Sequence, residues 1–264
     1  MRILAQNFDM ERFFSRVARA SRRALILDYD GTLAPFTVDR DHAYPYEGVR
    51  EILSAFLRTD ETRLVLVSGR AVKDLIPLLG IDPIPEIWGS HGRERLLPDG
   101  TYETARIDDR ASEGLAQAKA WIVEEELVDY LEEKPASLAV HTRGLDQNTE
   151  QELRERVSES WRLLRERNGL DVHLFAGGIE LRVPGVDKGS AVHTILAEVG
   201  EDAAAAYAGD DLTDEDAFRA IKGRGLGILA TEQLRPTAAD VWLRPPEELL
   251  DFMDAWLVRS GGTP

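Results

Sequence analysis

The sequence predicts an α/β protein with a mainly parallel central sheet and a smaller α+β unit inserted into it. Three observations indicate this fold. Apolar runs alternate with helical periodicity over residues 1–108, the alternation returns over residues 184–264, and the stretch between them follows another order. Strand, helix and strand in succession predict parallel pairing through right-handed crossovers. We therefore expect a core of residues 1–108 and 184–264, with residues 109–183 as an inserted domain.

In the first part, three apolar runs predict buried strands, at residues 25–27, 64–67 and 86–88. Between them, Val49 to Leu57 and Ala71 to Leu79 show helical spacing of apolar residues. Pro98-Asp99-Gly100 predicts a hairpin turn. In the last part, strands are predicted at 203–208, 226–229 and 241–243, and helices at 190–199, 213–221 and after Pro245-Pro246.

The middle of the chain predicts a helix, a strand, a helix and two strands. The long helix carries Leu153, Val157, Trp161 and Leu164 on one face. Gly177-Gly178 predicts the turn between the last two strands. This order is typical of an α+β unit and not of a parallel sheet.

Composition limits the function classes. The chain has 264 residues, no cysteine, and a net charge of −16 from 32 basic and 48 acidic residues. An acidic surface argues against nucleic acids and anionic membranes as partners, but not against an anionic small molecule. The first 20 residues lack a signal-peptide pattern, and no apolar run approaches the ~20 residues of a spanning helix. We expect a monomeric cytoplasmic protein whose partner is a small molecule.

Asp28-Tyr29-Asp30-Gly31-Thr32 is the most informative motif, because two carboxylates directly follow a predicted buried strand. Such strand ends form the ligand crevice of open α/β sheets. A carboxylate there can attack phosphorus, and a second one can transfer a proton. The alternative is a solvated Asp-Gly turn.

Two further motifs suit phosphate binding. Ser68-Gly69-Arg70 places a hydroxyl between a strand and a helix, and Lys188 lies where the next helix begins. A cation at a helix start opposes the helix dipole, which makes sense if Lys188 faces a phosphate or a phosphorylated Asp. The alternatives are an ordinary serine N-cap and a surface lysine.

Asp210, Asp211 and Asp214 follow another small-residue strand. Carboxylate oxygens from two strand ends would suit an octahedral Mg²⁺ site. An acidic helix start explains Asp214 well but explains Asp210 and Asp211 poorly.

In this order, the four motifs are similar to the signature motifs of the haloacid dehalogenase-like (HAD) phosphatases. The stretches 27–35, 67–70, 89–94 and 209–218 resemble more narrowly the trehalose-6-phosphate phosphatases. Three segments of the inserted unit resemble the sugar-recognition motifs of that family's cap, namely residues 132–134, 141–143 and 180–182.

This resemblance implies a Rossmann-like HAD core with a cap, and Mg²⁺-dependent hydrolysis of trehalose 6-phosphate through an aspartyl-phosphate. It implies Asp28 as nucleophile, Asp30 as acid and base, and Lys188 and Ser68 as further catalytic residues. The implied substrate contacts are Thr32, Gly69, Arg70, His91, Glu132, Lys134, His141, Arg143 and Glu180. The implied metal-site residues are Asp28, Asp30 (through its carbonyl), Asp210, Asp211 and Asp214. The cap is expected to close over the substrate and to reopen for product release.

Two departures from the family pattern bear on the sugar, since Thr142 replaces a usual aromatic residue and Arg93 a usual small one. A related phosphatase of mannosylglycerate or sucrose phosphate is therefore an alternative. A non-catalytic sugar-phosphate sensor and a domain that stores phosphate on Asp28 are further alternatives. The presence of both Asp30 and a large inserted unit favours turnover over storage.

Overall fold

The computed structural model describes residues 1–6, 8–37, 39–175 and 177–262. They divide into two compact units. The first comprises residues 1–103 and 187–264, and the second comprises residues 104–186. The insertion predicted for residues 109–183 lies within the second unit.

Up to the second unit, the chain forms β1 (Arg2–Ile3), α1 (Met10–Arg19), β2 (Arg23–Leu27), α2 (Val49–Thr59), β3 (Arg63–Val67), α3 (Val72–Leu79), β4 (Glu86–Gly89), β5 (Glu94–Leu96) and β6 (Tyr102–Thr104). The following stretch forms α4 (Asp109–Glu124), β7 (Leu131–Lys134), β8 (Ser137–His141), α5 (Gln147–Asn168), β9 (Asp171–Phe175) and β10 (Gly178–Arg182). The chain ends with α6 (Lys188–Val199), β11 (Ala204–Gly209), α7 (Glu215–Ile221), β12 (Leu226–Ala230), β13 (Val241–Leu243) and α8 (Glu247–Arg259).

The larger sheet has nine strands in the order β1-β13-β12-β11-β2-β3-β4-β5-β6. The six strands from β13 to β4 pair in parallel, whereas β1 and β5 pair antiparallel with their neighbours. The predicted α/β class is confirmed. At the centre, Leu27 of β2 pairs with Ala208 of β11, so the two strands end side by side at one edge of the sheet.

Helices cover both faces of this sheet because its strands are apolar on both sides. Leu27 packs into one core with Trp256 of α8. Ile26 points to the other face and packs into a second core with Ile195 of α6 and Tyr207 of β11. All five side chains are fully buried, which fixes the register of β2.

The helix after residue 184 begins at Lys188, two residues before the predicted start. Asp187 caps it by accepting a 2.7 Å hydrogen bond from the Ser190 amide, and the Ser190 hydroxyl in turn contacts the Asp187 backbone. This capping box fixes the start of the helix at Lys188. Gly189 permits close packing on α7, since a Cβ at this position would lie 2.8 Å from the carbonyl oxygen of Asp216.

Helix α1 and strand β7 were not predicted. Helix α1 buries Phe13, Phe14 and Val17, whose spacing marks a single narrow face among charged residues. Strand β7 reads Leu-Glu-Glu-Lys, and this charged sequence hides a strand that hydrogen-bonds to β8 over its whole length. The predicted helix 213–221 is a 3-10 turn, Leu212–Asp214, followed by α7.

The second unit is a four-stranded antiparallel sheet, in the order β7-β8-β10-β9, with α4 and α5 against one face. Its core forms around Trp161 and Val157 of α5 and Ile179 of β10, all fully buried. The alternate residues of β8 and β10 face away from this core. Within the part of the chain that the structure describes, no helix combines the length and hydropathy needed to cross a bilayer.

Candidate active site

Two aspartates lie at adjacent strand ends of the larger sheet. Asp28 directly follows β2 and is 3% exposed, and Asp210 directly follows β11. The Asp28 amide donates a 2.8 Å hydrogen bond to the Ala208 carbonyl, which continues the strand pairing to the motif itself. The parallel sheet therefore brings together carboxylates that are 182 positions apart in sequence (210 − 28).

Lys188 links two carboxylates of this edge. Its Nζ lies 2.8 Å from Oδ1 of Asp28 and 2.7 Å from Oδ1 of Asp214. All three side chains are buried. The alternative that Lys188 is a surface lysine is thereby wrong, because the ammonium group is a buried partner of two carboxylates.

Asp214 holds this arrangement in place through both of its oxygens. Oδ1 accepts hydrogen bonds from Lys188 and, at 2.5 Å, from the Tyr207 hydroxyl. Oδ2 accepts from the backbone amides of Asp210 and Asp211, at 3.1 Å and 2.9 Å. The carboxylate thus fixes both the lysine and the loop that carries Asp210, which is more than an acidic helix start requires.

Charge is unbalanced at this site. One oxygen each from Asp28, Asp210 and Asp214 lies within 4.8 Å of the others, and Lys188 is the cation among them. Burial, opposed by Lys188 and reinforced by Asp214, raises the pKa of Asp28 to about 7. Burial and the neighbouring carboxylates also raise the pKa of Asp210 well above its usual value. Burial lowers the pKa of Lys188, but the two carboxylates outweigh it and the net shift is upward.

A divalent cation fits this donor set. Among the described residues, Oδ1 of Asp210 is buried and has no hydrogen-bond partner, which is costly unless something binds it. When ionised, the three carboxylates exceed the single lysine by two negative charges, which a divalent cation would balance, and hard oxygen ligands suit Mg²⁺. Asp211 lies outside the three-residue cluster, and its Oδ1 accepts from the Leu212 amide at 2.7 Å. The Asp30 side chain is bound by Arg70, and its predicted metal contact is through the backbone carbonyl.

The loops after β3 and β4 are tied to each other. The hydroxyl oxygen of the fully buried Ser68 accepts a 3.1 Å bond from the Arg70 amide and keeps its own proton for donation. The Ser90 amide donates to the Arg70 carbonyl at 2.7 Å. A Cβ on Gly69 would come within 2.8 Å of two atoms of the His91 ring, so the ring lies directly against the glycine. The structure thus brings together residues of two predicted motifs.

Thr32 provides a second buried hydroxyl in the first unit. Its side chain is fully buried, and its Oγ1 has no hydrogen-bond partner within the described ranges. Such a hydroxyl is unsatisfied unless a ligand reaches it. This supports the predicted contact of Thr32 with a phosphate oxygen.

The second unit gathers the predicted sugar contacts on the sheet face opposite its core. Ala139 of β8 pairs with Glu132 on one side and with Glu180 on the other. Lys134 Nζ lies 3.6 Å from Glu132 and 3.2 Å from Glu180. The charged side chains of Glu132, Lys134 and Glu180 therefore form a cluster around Ala139, whose side chain is only a methyl group.

Neighbouring polar groups orient both carboxylates. His141 Nε2 lies 2.8 Å from Oε2 of Glu132, and the Ser137 hydroxyl donates a 2.7 Å bond to Oε1 of Glu180. Glu180 is only 4% exposed, so its position is well determined by these contacts. Arg143 lies two residues beyond the end of β8, with its side chain packed on Gly177.

Both residues that depart from the family pattern, Thr142 and Arg93, have buried side chains. Thr142 is 1% exposed, and its hydroxyl donates to Glu150 of α5 at 3.0 Å. It thus contacts the helix layer and not the polar face of the sheet. Arg93 is 6% exposed in the first unit.

Three residues of the first unit were missed by the sequence reasoning. Tyr207 donates a hydrogen bond to Asp214. The sequence could have marked it, because it is the one aromatic residue in the alanine-rich strand β11. Arg235 Nη2 donates to the carbonyls of Asp210 and Asp211, at 3.0 Å and 2.6 Å. Glu94 accepts hydrogen bonds from the hydroxyls of Ser90 and Tyr102 and so holds the loop of His91. Glu94 lies in the predicted stretch 89–94 but was given no role there, and no local pattern marks the contacts of Arg235.

A family model for trehalose-phosphatase matches residues 26–239 of the chain, which include every residue of the site described above. The chain belongs to the trehalose-phosphatase family. A trehalose-phosphate phosphatase of Mycobacterium marinum is 33% identical over 88% of this chain. A probable trehalose-phosphate phosphatase C of Arabidopsis thaliana is 30% identical over 93% of it.

The match spans 60% of the length of the Mycobacterium marinum relative and 80% of the Arabidopsis thaliana one. The C-terminal domain of Candida albicans trehalose-6-phosphate phosphatase superposes with a TM-score of 0.76, covering 99% of both chains at 19% identity. This likeness shows that the two chains share a fold. The predicted family resemblance is confirmed.

Proposed function

We propose that this chain hydrolyses trehalose 6-phosphate to trehalose and inorganic phosphate, with the first unit as the catalytic core and the second as the cap that recognises the sugar. One observation carries the proposal. In a chain of the trehalose-phosphatase family, Asp28, Asp210 and Asp214 converge around Lys188 at the carboxyl edge of the sheet.

The reaction divides into two displacements. Asp28 attacks phosphorus through a carboxylate oxygen, the bond from phosphorus to the sugar oxygen breaks, and Asp30 gives its proton to that oxygen. Asp30 then takes a proton from water, whose oxygen attacks phosphorus and releases Asp28 and phosphate. Lys188 holds Oδ1 of Asp28 in place throughout.

Other residues of the first unit bind the transferring group. The hydroxyls of Thr32 and Ser68 donate to phosphate oxygens, and Lys188 contributes positive charge. Asp28, Asp210 and the carbonyl of Asp30 would hold Mg²⁺, which when bound neutralises phosphate charge and eases the approach of an anionic nucleophile. Asp214 positions Lys188 and the Asp210 loop, so we assign it a supporting role.

The sugar contacts are assigned to the second unit. Glu132 and Glu180 accept hydrogen bonds from sugar hydroxyls, and Lys134 and Arg143 donate to hydroxyl or phosphate oxygens. The preorientation of both carboxylates by His141 and Ser137 supports this assignment. A monomeric state and a cytoplasmic location stay predictions from the sequence.

Phosphate release tests the proposal. The purified protein is incubated with Mg²⁺ and, in parallel, with trehalose 6-phosphate, sucrose 6-phosphate, mannosylglycerate phosphate and glucose 6-phosphate. We expect strong preference for trehalose 6-phosphate and loss of activity with a chelator. Preference for another sugar phosphate would refute trehalose 6-phosphate as the substrate. It would leave the roles assigned to the catalytic residues of the first unit unchanged. Release from none of them, with Mg²⁺ shown to bind, would favour a sensor.

A further inference from the structure

The polar face of the smaller sheet ends at the apolar ring of Phe175, in β9. Gly178 of β10 pairs with His141 of β8 on one side and with Phe175 of β9 on the other. The same face carries Glu180, two positions along β10. Phe175 thus extends the row of predicted sugar contacts by one strand.

The glycine gives the ring its position. A Cβ on Gly178 would come 2.4 Å from Cζ of Phe175, so the ring occupies the space that a side chain at 178 would fill. The ring also meets His141 edge to face, with centroids 5.6 Å apart and an interplanar angle of 73°. Phe175 therefore lies directly beside the histidine that orients Glu132.

The ring is not a core side chain. The core of the second unit lies on the opposite face, built from residues such as Leu138, Ile179 and Leu181. Phe175 remains partly exposed next to charged groups. An apolar surface bordered by hydrogen-bonding groups is a common composition for a small-molecule site.

We propose that Phe175 forms the apolar wall of the sugar site, packing against the C–H face of a hexose ring whose hydroxyls bond to Glu132 and Glu180. This inference rests on the proposed function. A hexose has an apolar face of C–H groups and a rim of hydroxyls, and the sheet face offers a matching ring and matching carboxylates. Burying the C–H face against the ring removes apolar area from water. A charged sheet face without Phe175 would bind the hydroxyls of the hexose but would not select its apolar C–H face.

The test compares Phe175→Ala with Leu174→Ala. Leu174 is the neighbouring residue, points to the other side of β9 and is 69% exposed, so it controls for loss of an apolar side chain from this strand. Each variant is assayed with the sugar phosphate that the wild type prefers and with 4-nitrophenyl phosphate, which has no sugar. Phe175→Tyr, which keeps the ring, is the conservative variant.

We expect Phe175→Ala to raise KM for the sugar phosphate by about tenfold or more. Its kcat/KM for 4-nitrophenyl phosphate should stay within about twofold of wild type, as should all constants of Leu174→Ala. Phe175→Tyr should retain a low KM. Titration of the free sugar phosphate into an Asp28→Asn background should show the same order of affinities by calorimetry.

Two outcomes would overturn the inference. One is a KM for Phe175→Ala equal to that of Leu174→Ala. The other is an equal loss on both substrates together with a lowered Tm, which would mean that the ring only supports the fold. Failure of the proposed function is seen separately, as a wild type that releases phosphate from no sugar phosphate or prefers one other than trehalose 6-phosphate.

Discussion

Arg70 binds both carboxylate oxygens of Asp30, from Nε to Oδ2 and from Nη2 to Oδ1, each at 2.7 Å. Arg70 is 6% exposed and is fixed by its own backbone bonds to the loops of Ser68 and Ser90. The sequence predicted Arg70 as a substrate contact, and the structure places its guanidinium on the proposed acid and base. This pair, 40 residues apart, determines where the Asp30 carboxylate points.

We expect Arg70→Gln to lower kcat for trehalose 6-phosphate by about 10- to 100-fold, because a misplaced Asp30 protonates the sugar oxygen poorly. The loss on 4-nitrophenyl phosphate should be about threefold or less, since that leaving group needs no proton. Arg50→Gln is the control, because Arg50 is a partly buried arginine that donates to the carbonyls of Leu79 and Leu78 and not to Asp30. Equal losses on both substrates would indicate a phosphate-binding arginine instead.

We expect Asp28→Asn to lower turnover by at least about a thousandfold, because an amide cannot act as the nucleophile. The variant should fold normally, since the new amide keeps an oxygen for Lys188 and relieves the crowding of carboxylates. Phosphate release and circular dichroism measure the two effects. Substantial activity in a folded, Mg²⁺-bound variant would disprove the nucleophile assignment.

We expect Gly31→Ala to abolish Mg²⁺-dependent activity, because its Cβ would lie 2.0 Å from Oδ2 of Asp210. Gly31 has a φ of +81°, so the variant also has a backbone cost of about 1–2 kcal/mol. Gly100→Ala separates the two effects, because Gly100 has a φ of +87° and no heavy atom within 4 Å of its Cβ position. Similar activity loss in both variants would show that backbone strain alone is responsible.

We expect Mg²⁺ to raise Tm more at pH 8 than at pH 6, by a difference of about 5 °C at saturating metal. In the metal-free protein the pKa of Asp28 is raised to about 7, mainly by burial. The folded state then binds more protons than the unfolded state from about pH 4 to 7, so this group reduces stability as pH rises through that range. A cation that needs the ionised carboxylates competes with protons and stabilises most above pH 7.

Differential scanning fluorimetry with and without Mg²⁺ measures this effect. Asp210→Asn is the control, because it removes a carboxylate whose pKa is raised well above its usual value. It should raise the Tm of the metal-free protein and weaken the response to Mg²⁺. An equal response of the wild type at pH 6 and pH 8 would contradict the predicted linkage.

The sequence predicted the strand ends well because buried parallel strands are short continuous apolar runs. Asp28 and Asp210 directly follow such runs, so their meeting at one sheet edge was foreseeable. The hydrogen-bond partners of these residues were not foreseeable from the sequence. Arg235 reaches the Asp210 carbonyl from a loop 25 residues away, and no local pattern marks such a contact. Strand β7 was missed because one face of it carries the charged cluster, which masks the apolar pattern of a strand.

The pairing of β2 with β11 has a consequence for the order in which the protein is made. The second unit is one continuous segment, residues 104–186, and its four strands pair with one another. By contrast, Arg23 to Leu27 pair with Ala204 to Ala208, which are synthesised after the whole second unit. On a ribosome, we therefore expect the inserted unit to fold while the centre of the larger sheet still lacks a strand. Catalytic competence would then arise late in translation and all at once, so incomplete chains released early would be inert as enzymes.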